Sequence, residues 1–532
     1  MRKRVVILCL DGMDPDLLER WMGEGYLPHF RRLREKGTYS PLQTINPPET
    51  AAAWAAFAAG KNPGKTNIFD FVIRDPKTYT PLSGLMTIKP GRGGRPLYTS
   101  NRRGDPVWKL LGEKGLRSTI LNLPATWPPE PFNGRILTGM GTPDLHGTLG
   151  TFTFYSTAHP DSRLRHLGRD VKITLKDNKV ETILHGPEEV TVPLSFERPK
   201  GSKQVVITWP QGSTVVHQGR LSGWCEVRFP LKGKEALGLC RFCLLEVEPD
   251  LKLYCSPIQN HPVQPYFPLT YPSSFAQELY EALGPYRTMG REVDIFSLLG
   301  NALSDDVLLE DTFSAIDEQG RMTLHVLHQG QDALLISWFG VIDTTQHGYW
   351  RFVDSGHPLY TEEGHRRYGD AVLRVYRRLD EFLGQVLQAM DDRTVLFIVS
   401  DHGCANWRRS VHFNTWLLRE GYLVLKDEAL APSPSPVEGE PMVPLSQVDW
   451  GRTRAYSVGC GKIYVNLRGR EGQGIVEPGA EYEALRDELR ARLKAWRDPK
   501  TGDPVVHHVY RAEEAHWGEY LAAAPDLIVG LN

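Results

Sequence analysis

The clearest pattern along the chain is a set of short apolar runs that each stop at an acidic residue. Val5–Leu10 is continuously apolar and ends at Asp11-Gly12, which is how a strand buried on both faces reads. Ala333–Phe339 is a second such run, closing just ahead of Asp343. Val395–Ser400 is a third, running into Asp401-His402-Gly403. Between the last two, Thr361–Met390 carries apolar residues at Val372, Val375, Tyr376, Leu379, Phe382, Leu383, Val386 and Leu387, the spacing of an amphipathic helix. Two helical patterns come after the first run, the second opening at Pro28 and closing near Gly37. Thr44–Glu49 reads as a Pro-rich polar loop. Thr50 leads an alanine-rich run to Ala59, a helix by propensity, which Gly60 and Pro63 stop. Val107–Gly115 predicts a helix and Ser118–Leu123 a strand. Strands alternating with helices predict an α/β fold, a mostly parallel sheet flanked by helices.

From about Gly150 to Gln264 the texture changes. Val171–Leu175, Val180–Leu184, Gln204–Thr208, Cys225–Phe229 and Leu251–Tyr254 are short alternating or β-branched runs parted by turn residues. The expected organisation is a discontinuous catalytic α/β domain over residues 1–149 and 265–532, with a β-rich insertion at 150–264. Tyr271–Glu318 returns to helical texture, Pro432–Pro444 reads as an exposed loop, and Tyr482–Trp496 as a helix. Pro525–Asn532 reads as a strand being entered.

Composition narrows the function classes. Of 532 residues, 41% are hydrophobic and 24% charged, as in ordinary globular domains. A formal net charge of −2 gives no basic surface for nucleic acid, but leaves room for a small phosphate ester in a local pocket. Seven cysteines, odd in number and irregularly spaced, point away from a disulfide framework and toward a reducing, cytoplasmic setting. Cys240 and Cys243 lack the second pair of a zinc ribbon and read as packed thiols. Met1–Arg4 is basic, yet the apolar run behind it is too short for a signal peptide, and no stretch approaches the length of a membrane span. Oligomeric state leaves no trace in the sequence.

In open α/β sheets, ligands sit beyond the carboxyl ends of the strands. Asp11, Asp343 and Asp401 converging there would repel one another unless a divalent cation sat between them. His347 and His402 lie close by in sequence, and mixed Asp/His ligation suits Zn²⁺ or Mn²⁺. Any one such Asp also serves as a turn or helix cap; the conjunction carries the argument. Thr50, at a helix start where free N–H groups favour anions, is the nucleophile candidate, a plain N-cap being its other reading. Gly60–Thr66 imitates a phosphate-binding loop, G-x-x-x-x-G-K-[ST]. It has one residue too few between its glycines and comes after a helix. Tyr349 and Trp350 read either as a leaving-group pocket or as core.

Asp11-Gly12, Asn46-Pro47-Pro48-Glu49-Thr50 running to Gly60, Asp343-x-x-x-His347 and Asp401-His402-Gly403 together resemble the alkaline phosphatase superfamily, specifically its type I phosphodiesterase/nucleotide pyrophosphatase branch. Asn62-Pro63-Gly64 and Ile68-Phe69-Asp70 add to the likeness, which spans most of the chain outside the β-rich part. The resemblance implies hydrolysis of a small-molecule phosphate ester at two divalent metal ions. Asp11, Thr50, Asp401 and His402 would hold one metal, Asp343 and His347 the other, and Thr50 would attack phosphorus. It also implies a third ligand for the second metal. His412 is the candidate, with His507, His508 and His516 as further options; relatives commonly continue past a final strand to such a His, so the expectation is either a C-terminal continuation or a weak second site. Phe71 stands where nucleotide-cleaving relatives carry a phosphoryl-contacting Asn, leaving Asn67 or Asn46 for that contact. Alternatives are a phosphomonoesterase or mutase of the same superfamily, a sulfatase (whose nucleophile motif is not seen around Thr50), or a metal-binding protein that has lost catalysis.

Overall fold

A computed structural model of the chain describes residues 3–90, 96–158, 167–300, 302–427 and 443–532. The loop expected at Pro432–Pro444 lies, up to Met442, outside them. The chain forms two compact units, Met1–Leu42 with Trp108–Asn406, and Gln43–Val107 with Trp407–Asn532.

The first unit is built on β1 (Arg4–Leu10), α1 (Pro15–Gly23), α2 (Pro28–Lys36), β2 (Ser118–Leu121), β3 (Gly134–Leu137), β4 (Thr270–Tyr271), α3 (Ser274–Leu283), α4 (Asp305–Gln329), β5 (Leu334–Phe339), α5 (Val341–Val353), α6 (Glu362–Tyr368), α7 (Ala371–Ala389) and β6 (Thr394–Val399). Its central six-stranded sheet runs β4-β3-β2-β5-β1-β6. Every pair is parallel except β4 with β3. The fold class read from the sequence is therefore the observed one. The register sets Leu10 beside Phe339 and Cys9 beside Val399, so three strands end at one edge.

Val372, Val375, Tyr376, Leu379, Phe382, Leu383 and Val386 of α7 are buried in one core with Val6, Leu8, Leu335 and Phe339. Burying such a side chain fully stabilises by about 1.5–3 kcal/mol. The single helix expected over Thr361–Met390 is two. Gly369 ends α6, and a Cβ there would sit 2.6 Å from the His365 carbonyl oxygen. The third apolar run also differs from its reading as a fully buried strand. β6 is an edge strand with Val395 39% and Phe397 50% exposed, since it pairs with β1 alone.

Residues 150–264 are indeed strand-rich and form three further sheets within this unit. A hairpin meander covers Lys179–His185, Thr191–Glu197, Gln204–Trp209 and Gly212–His217. Cys240 and Cys243 are buried free thiols, as expected.

The second unit holds the helix Thr50–Ala59 and a four-stranded antiparallel sheet of Ala455–Ser457, Lys462–Val465, Leu527–Leu531 and Val506–Arg511. Helix Ala480–Ala495 buries Leu485, Leu489 and Leu493 in the core of Ile463, Val465 and Leu527. Two hairpins, Val72–Arg74 with Pro81–Ser83 and Met86–Pro90 with Pro96–Ser100, escaped the sequence reading because their strands are short and largely exposed. Gly60 caps the Thr50 helix in the left-handed region, and Asn62 caps the turn Pro63–Thr66; this segment is helix punctuation, not a phosphate loop. Among the described residues no helix is long and apolar enough to cross a membrane.

Candidate metal centre

The parallel register brings three strand ends together, and short backbone contacts fix the residues just beyond each. The N–H of Asp11 donates to the Phe339 carbonyl (2.9 Å) and that of Asp343 to the Asp11 carbonyl (3.2 Å). Gly12 turns with φ +70°, and a Cβ there would lie 2.9 Å from the Asp343 Cβ. Gln346 donates to the Gly12 carbonyl (2.7 Å). Gly12 N–H donates to Asp401 Oδ1 (3.2 Å), and Met13 N–H to Ser400 Oγ (2.9 Å). Ser400 Oγ–H in turn donates to the His402 carbonyl (2.8 Å). Asp14 caps α1 and also accepts the Cys404 N–H (3.1 Å), tying the Asp401–Cys404 loop to the start of α1.

Ligand atoms of Asp11, Asp343 and His402 thereby come within 4.8 Å of one another. His402 Nε2 is 3.4 Å from Asp11 Oδ1 and 3.5 Å from Asp401 Oδ2. Asp343, in the first turn of α5, shares a helix face with His347 one turn on, with Nε2 3.4 Å from Oδ1. His347 is 70% exposed by side chain. Asp11, Asp343, His347, Asp401 and His402, the five residues read at or near the strand ends, thus lie in contact in the first unit. Thr50, Asn67 and His412 belong to the second unit.

The electrostatics are those of a cation site. Asp401 is buried, and its Oδ2 accepts no hydrogen bond. Burial pushes its carboxyl above the ordinary range, and the Asp343 charge adds to that against the opposing pull of His402. Burial also pushes Asp343 up, but the hydrogen bond and charge of His347, with His402 and Arg291, outweigh it and hold the carboxyl low. Asp343 in turn raises His347. Burial, with Asp401 and Asp11 beside it, raises the Cys9 thiol well above its usual value, so Cys9 stays a neutral core residue. An orphaned buried carboxylate oxygen among carboxylate and imidazole donors fits a divalent cation.

In the second unit, Thr50 opens its helix and is buried (8% exposed). Glu49 holds the N-cap position without a side-chain cap bond. Asn67 sits at φ +61° after the Pro63–Thr66 turn, donating to the Asn101 carbonyl at 3.4 Å. His412 precedes helix Phe413–Arg419. His516 is buried, and burial with the Lys462 charge lowers its imidazole to about 4; His507 is exposed. Asp70 forms a buried ion pair with Lys462.

Some participants escaped the sequence reading. Trp338 Nε1 donates to Asp11 Oδ2 (3.1 Å); its signal was an indole, which needs an acceptor when buried, inside an apolar run. Ser400 and Gln346 act through the chain turns and left no pattern. Of the two aromatics offered as pocket residues, Tyr349 is fully buried in the core. Trp350 packs against that core and donates to Asn406 (2.8 Å). The core reading holds for Tyr349 because its helix face turns inward.

A parallel α/β sheet with an acid–imidazole cluster at its carboxyl edge is a candidate metal centre. The type I phosphodiesterase / nucleotide pyrophosphatase family model matches residues 5–531. The chain belongs to that family and is a phosphoric ester hydrolase. No curated protein matches the sequence. Among solved structures, the chain is similar to phosphonoacetate hydrolase from Sinorhizobium meliloti 1021 in complex with phosphonoacetate. The identity is 12% and the TM-score 0.43, over 100% of this chain and 81% of that one. The same hydrolase with phosphonoformate gives 13% and 0.43 over the same shares. A mutant of the alkaline phosphatase PafA gives 15% and 0.39, over 100% and 86%.

Proposed function

We propose that the protein hydrolyses a small phosphate ester as a phosphodiesterase or nucleotide pyrophosphatase, at two divalent metal ions, Zn²⁺ or Mn²⁺, with Thr50 as nucleophile. The observation that carries this reading is the convergence of Asp11, Asp343 and His402 within 4.8 Å of one another, with the orphaned Oδ2 of Asp401 3.5 Å from His402 Nε2. One metal would be held by Asp11, Thr50, Asp401 and His402, the other by Asp343, His347 and His412. Bound there, the metals supply Lewis-acid stabilisation of the attacking and leaving oxygens.

Thr50 Oγ1 forms the bond to phosphorus as the leaving-group oxygen departs, and water then cleaves the phosphothreonine. The ten-residue helix behind Thr50 turns its free N–H groups toward phosphoryl oxygens. Asn67 has a second amide N–H to offer the phosphoryl group beyond the one engaged with Asn101. Residues 150–264 act as an insertion in the catalytic domain that shapes the leaving-group side. Cysteines that are free throughout support a reducing, cytoplasmic location.

The test is a screen of protein loaded with Zn²⁺ or Mn²⁺ against p-nitrophenyl phosphate, bis-p-nitrophenyl phosphate and a sulfate ester, with Thr50→Ala alongside. Turnover of a phosphate ester that Thr50→Ala abolishes while metal still binds supports the reading. Parental turnover by Thr50→Ala removes the nucleophile. Inactivity on all three esters with either metal leaves a metal-binding protein.

A further inference from the structure

Arg291 belongs to the segment between α3 and α4, and both its neighbours in sequence are pinned. At Gly290 a Cβ would lie 2.1 Å from the Gly139 carbonyl oxygen, so that backbone is closely packed. Glu292 accepts the N–H of Gly340, the residue that opens α5, at 2.7 Å. Two residues on, Asp294 accepts the Tyr254 hydroxyl (2.7 Å) and the Ser297 N–H (3.2 Å). The arginine between these anchors stacks its guanidinium over the Phe296 ring, 4.4 Å from the centroid, which fixes its plane.

Among the described residues Arg291 donates no hydrogen bond and makes no ion pair within 4 Å. Its nearby acids are otherwise engaged: Asp294 by Tyr254 and Ser297, Asp343 by His347. Burial lowers its pKa from the usual guanidinium value against the pull of Asp294 and Asp343. A guanidinium with five donors, partly withdrawn from water and unpaired, is unfavourable until an anion meets it. The bond from Gly340 N–H to Glu292 sets Arg291 at the start of α5, the helix that carries Asp343 and His347, and its charge is felt at both. It therefore stands on the Asp343–His347 side of the centre.

We propose that Arg291 recognises an anionic group carried by the leaving group of the substrate, a carboxylate or a phosphate, and so selects esters and anhydrides whose departing half is charged. This rests on the reading above, in which Thr50 would belong to one metal and Asp343 with His347 would hold the other, the one left for the departing oxygen. A planar fork of N–H donors matches either oxyacid in bidentate fashion, and Phe296 leaves that fork pre-oriented.

Phenyl phosphate and 4-carboxyphenyl phosphate differ only in the leaving group's carboxylate, and inorganic pyrophosphate places a phosphate there. Diphenyl counterparts replace the first two if the parent cleaves only diesters. The metal-loaded parent is compared with Arg291→Gln and Arg291→Lys. Loss of one charged contact predicts a kcat/KM lower by about 10–100-fold for the charged leaving group, and by less than about threefold for phenol, in Arg291→Gln. Arg291→Lys restores part of that loss. Calorimetric binding of 4-hydroxybenzoate and of pyrophosphate weakens in parallel, and whichever ligand is affected assigns carboxylate or phosphate. Equal losses on charged and neutral leaving groups, or unchanged binding of both ligands, overturn the proposal. A parent that turns over no phosphate ester overturns the hydrolytic reading, while the binding comparison still decides the role of Arg291.

Discussion

The backbone N–H of Gly12 donates to Asp401 Oδ1 at 3.2 Å, so the turn after the first strand holds the acid at the end of the last. One carboxylate oxygen is thereby occupied and the other, Oδ2, is left buried without a donor. The same Gly12 offers its carbonyl to Gln346 of α5, the helix that carries Asp343 and His347. A single residue thus links all three chain segments of the centre, and its own conformation and space decide whether they meet.

Asp401→Asn separates fold from metal binding at this point. The amide oxygen still accepts the Gly12 N–H, and a neutral group relieves the burial that pushes the Asp401 carboxyl up. The metal-free variant is expected to melt at or above the parent's temperature. Its affinity for Zn²⁺ or Mn²⁺ should fall by at least about 10–100-fold, the scale for losing even a supporting metal contact, and the metal-induced rise in melting temperature should vanish. Metal analysis after dialysis, with melting curves in chelator and in metal, reads both. Full metal occupancy in the variant would remove Asp401 from the ligand set.

Gly12→Ala should be damaging for two reasons that can be told apart. A φ of +70° strains an L-residue, and the new Cβ would meet the Asp343 Cβ at 2.9 Å. Gly60, the cap of the Thr50 helix, has φ +61° but nothing within 4 Å of a Cβ, so Gly60→Ala carries the strain alone. Strain is about 1–2 kcal/mol. Gly12→Ala is expected to lose clearly more stability than Gly60→Ala in urea titrations, and to lose metal affinity, which Gly60→Ala keeps. Equal losses of stability in the two variants would mean that the close approach to Asp343 is unimportant.

These contacts show why part of the centre was legible in the sequence. Parallel strands buried on both faces read as unbroken apolar runs, and their carboxyl ends share an edge, so Asp11, Asp343 and Asp401 announced a common site without any partner being known. The Asp343–His347 pair was legible because four residues is one helical turn. What the periodicity does not carry is which strand lies at an edge, hence the misread exposure of Val395 and Phe397. Contacts between segments hundreds of residues apart are equally silent, as with Trp338 on Asp11. Arg291 and Glu292 fall in a stretch with neither period. Thr50 was legible as a helix start beside a recognisable motif; its chemistry is a matter of function and was not written in that helix signal.

Glu292 sets the pH response of the first unit. Burial raises its carboxyl to about 8, offset in part by the Gly340 N–H and Arg287. The folded state therefore binds a proton that the unfolded chain releases near pH 4.5. Between those two values the folded protein holds more protons than the unfolded, so stability falls as pH rises through the window. Glu292→Gln keeps an acceptor for Gly340 N–H and does not titrate. Unfolding free energy from urea titrations at pH 5 to 9 should slope downward less for the variant, which should exceed the parent at the alkaline end by on the order of a few kcal/mol. Parallel curves would show that Glu292 is ionised throughout.

Lys462 and Asp70 form a buried ion pair in the second unit, with side chains 0% and 4% exposed. Asp70 also accepts the N–H of Val72 (3.2 Å) and of Cys460 (3.1 Å), so its carboxylate orders the turn between two strands. Removing the cation alone strands a buried charge, and removing both charges does not. Lys462→Met is expected to destabilise by about 3–5 kcal/mol, and Lys462→Met with Asp70→Asn by much less, because the amide still accepts from the turn while no charge is left behind. A double-mutant cycle in urea, in the full chain, measures the coupling. Additive losses would mean that Lys462 acts through its methylene packing and that water reaches Asp70; strong coupling would mean that the pair sets the geometry of the Ser457–Lys462 turn as a unit.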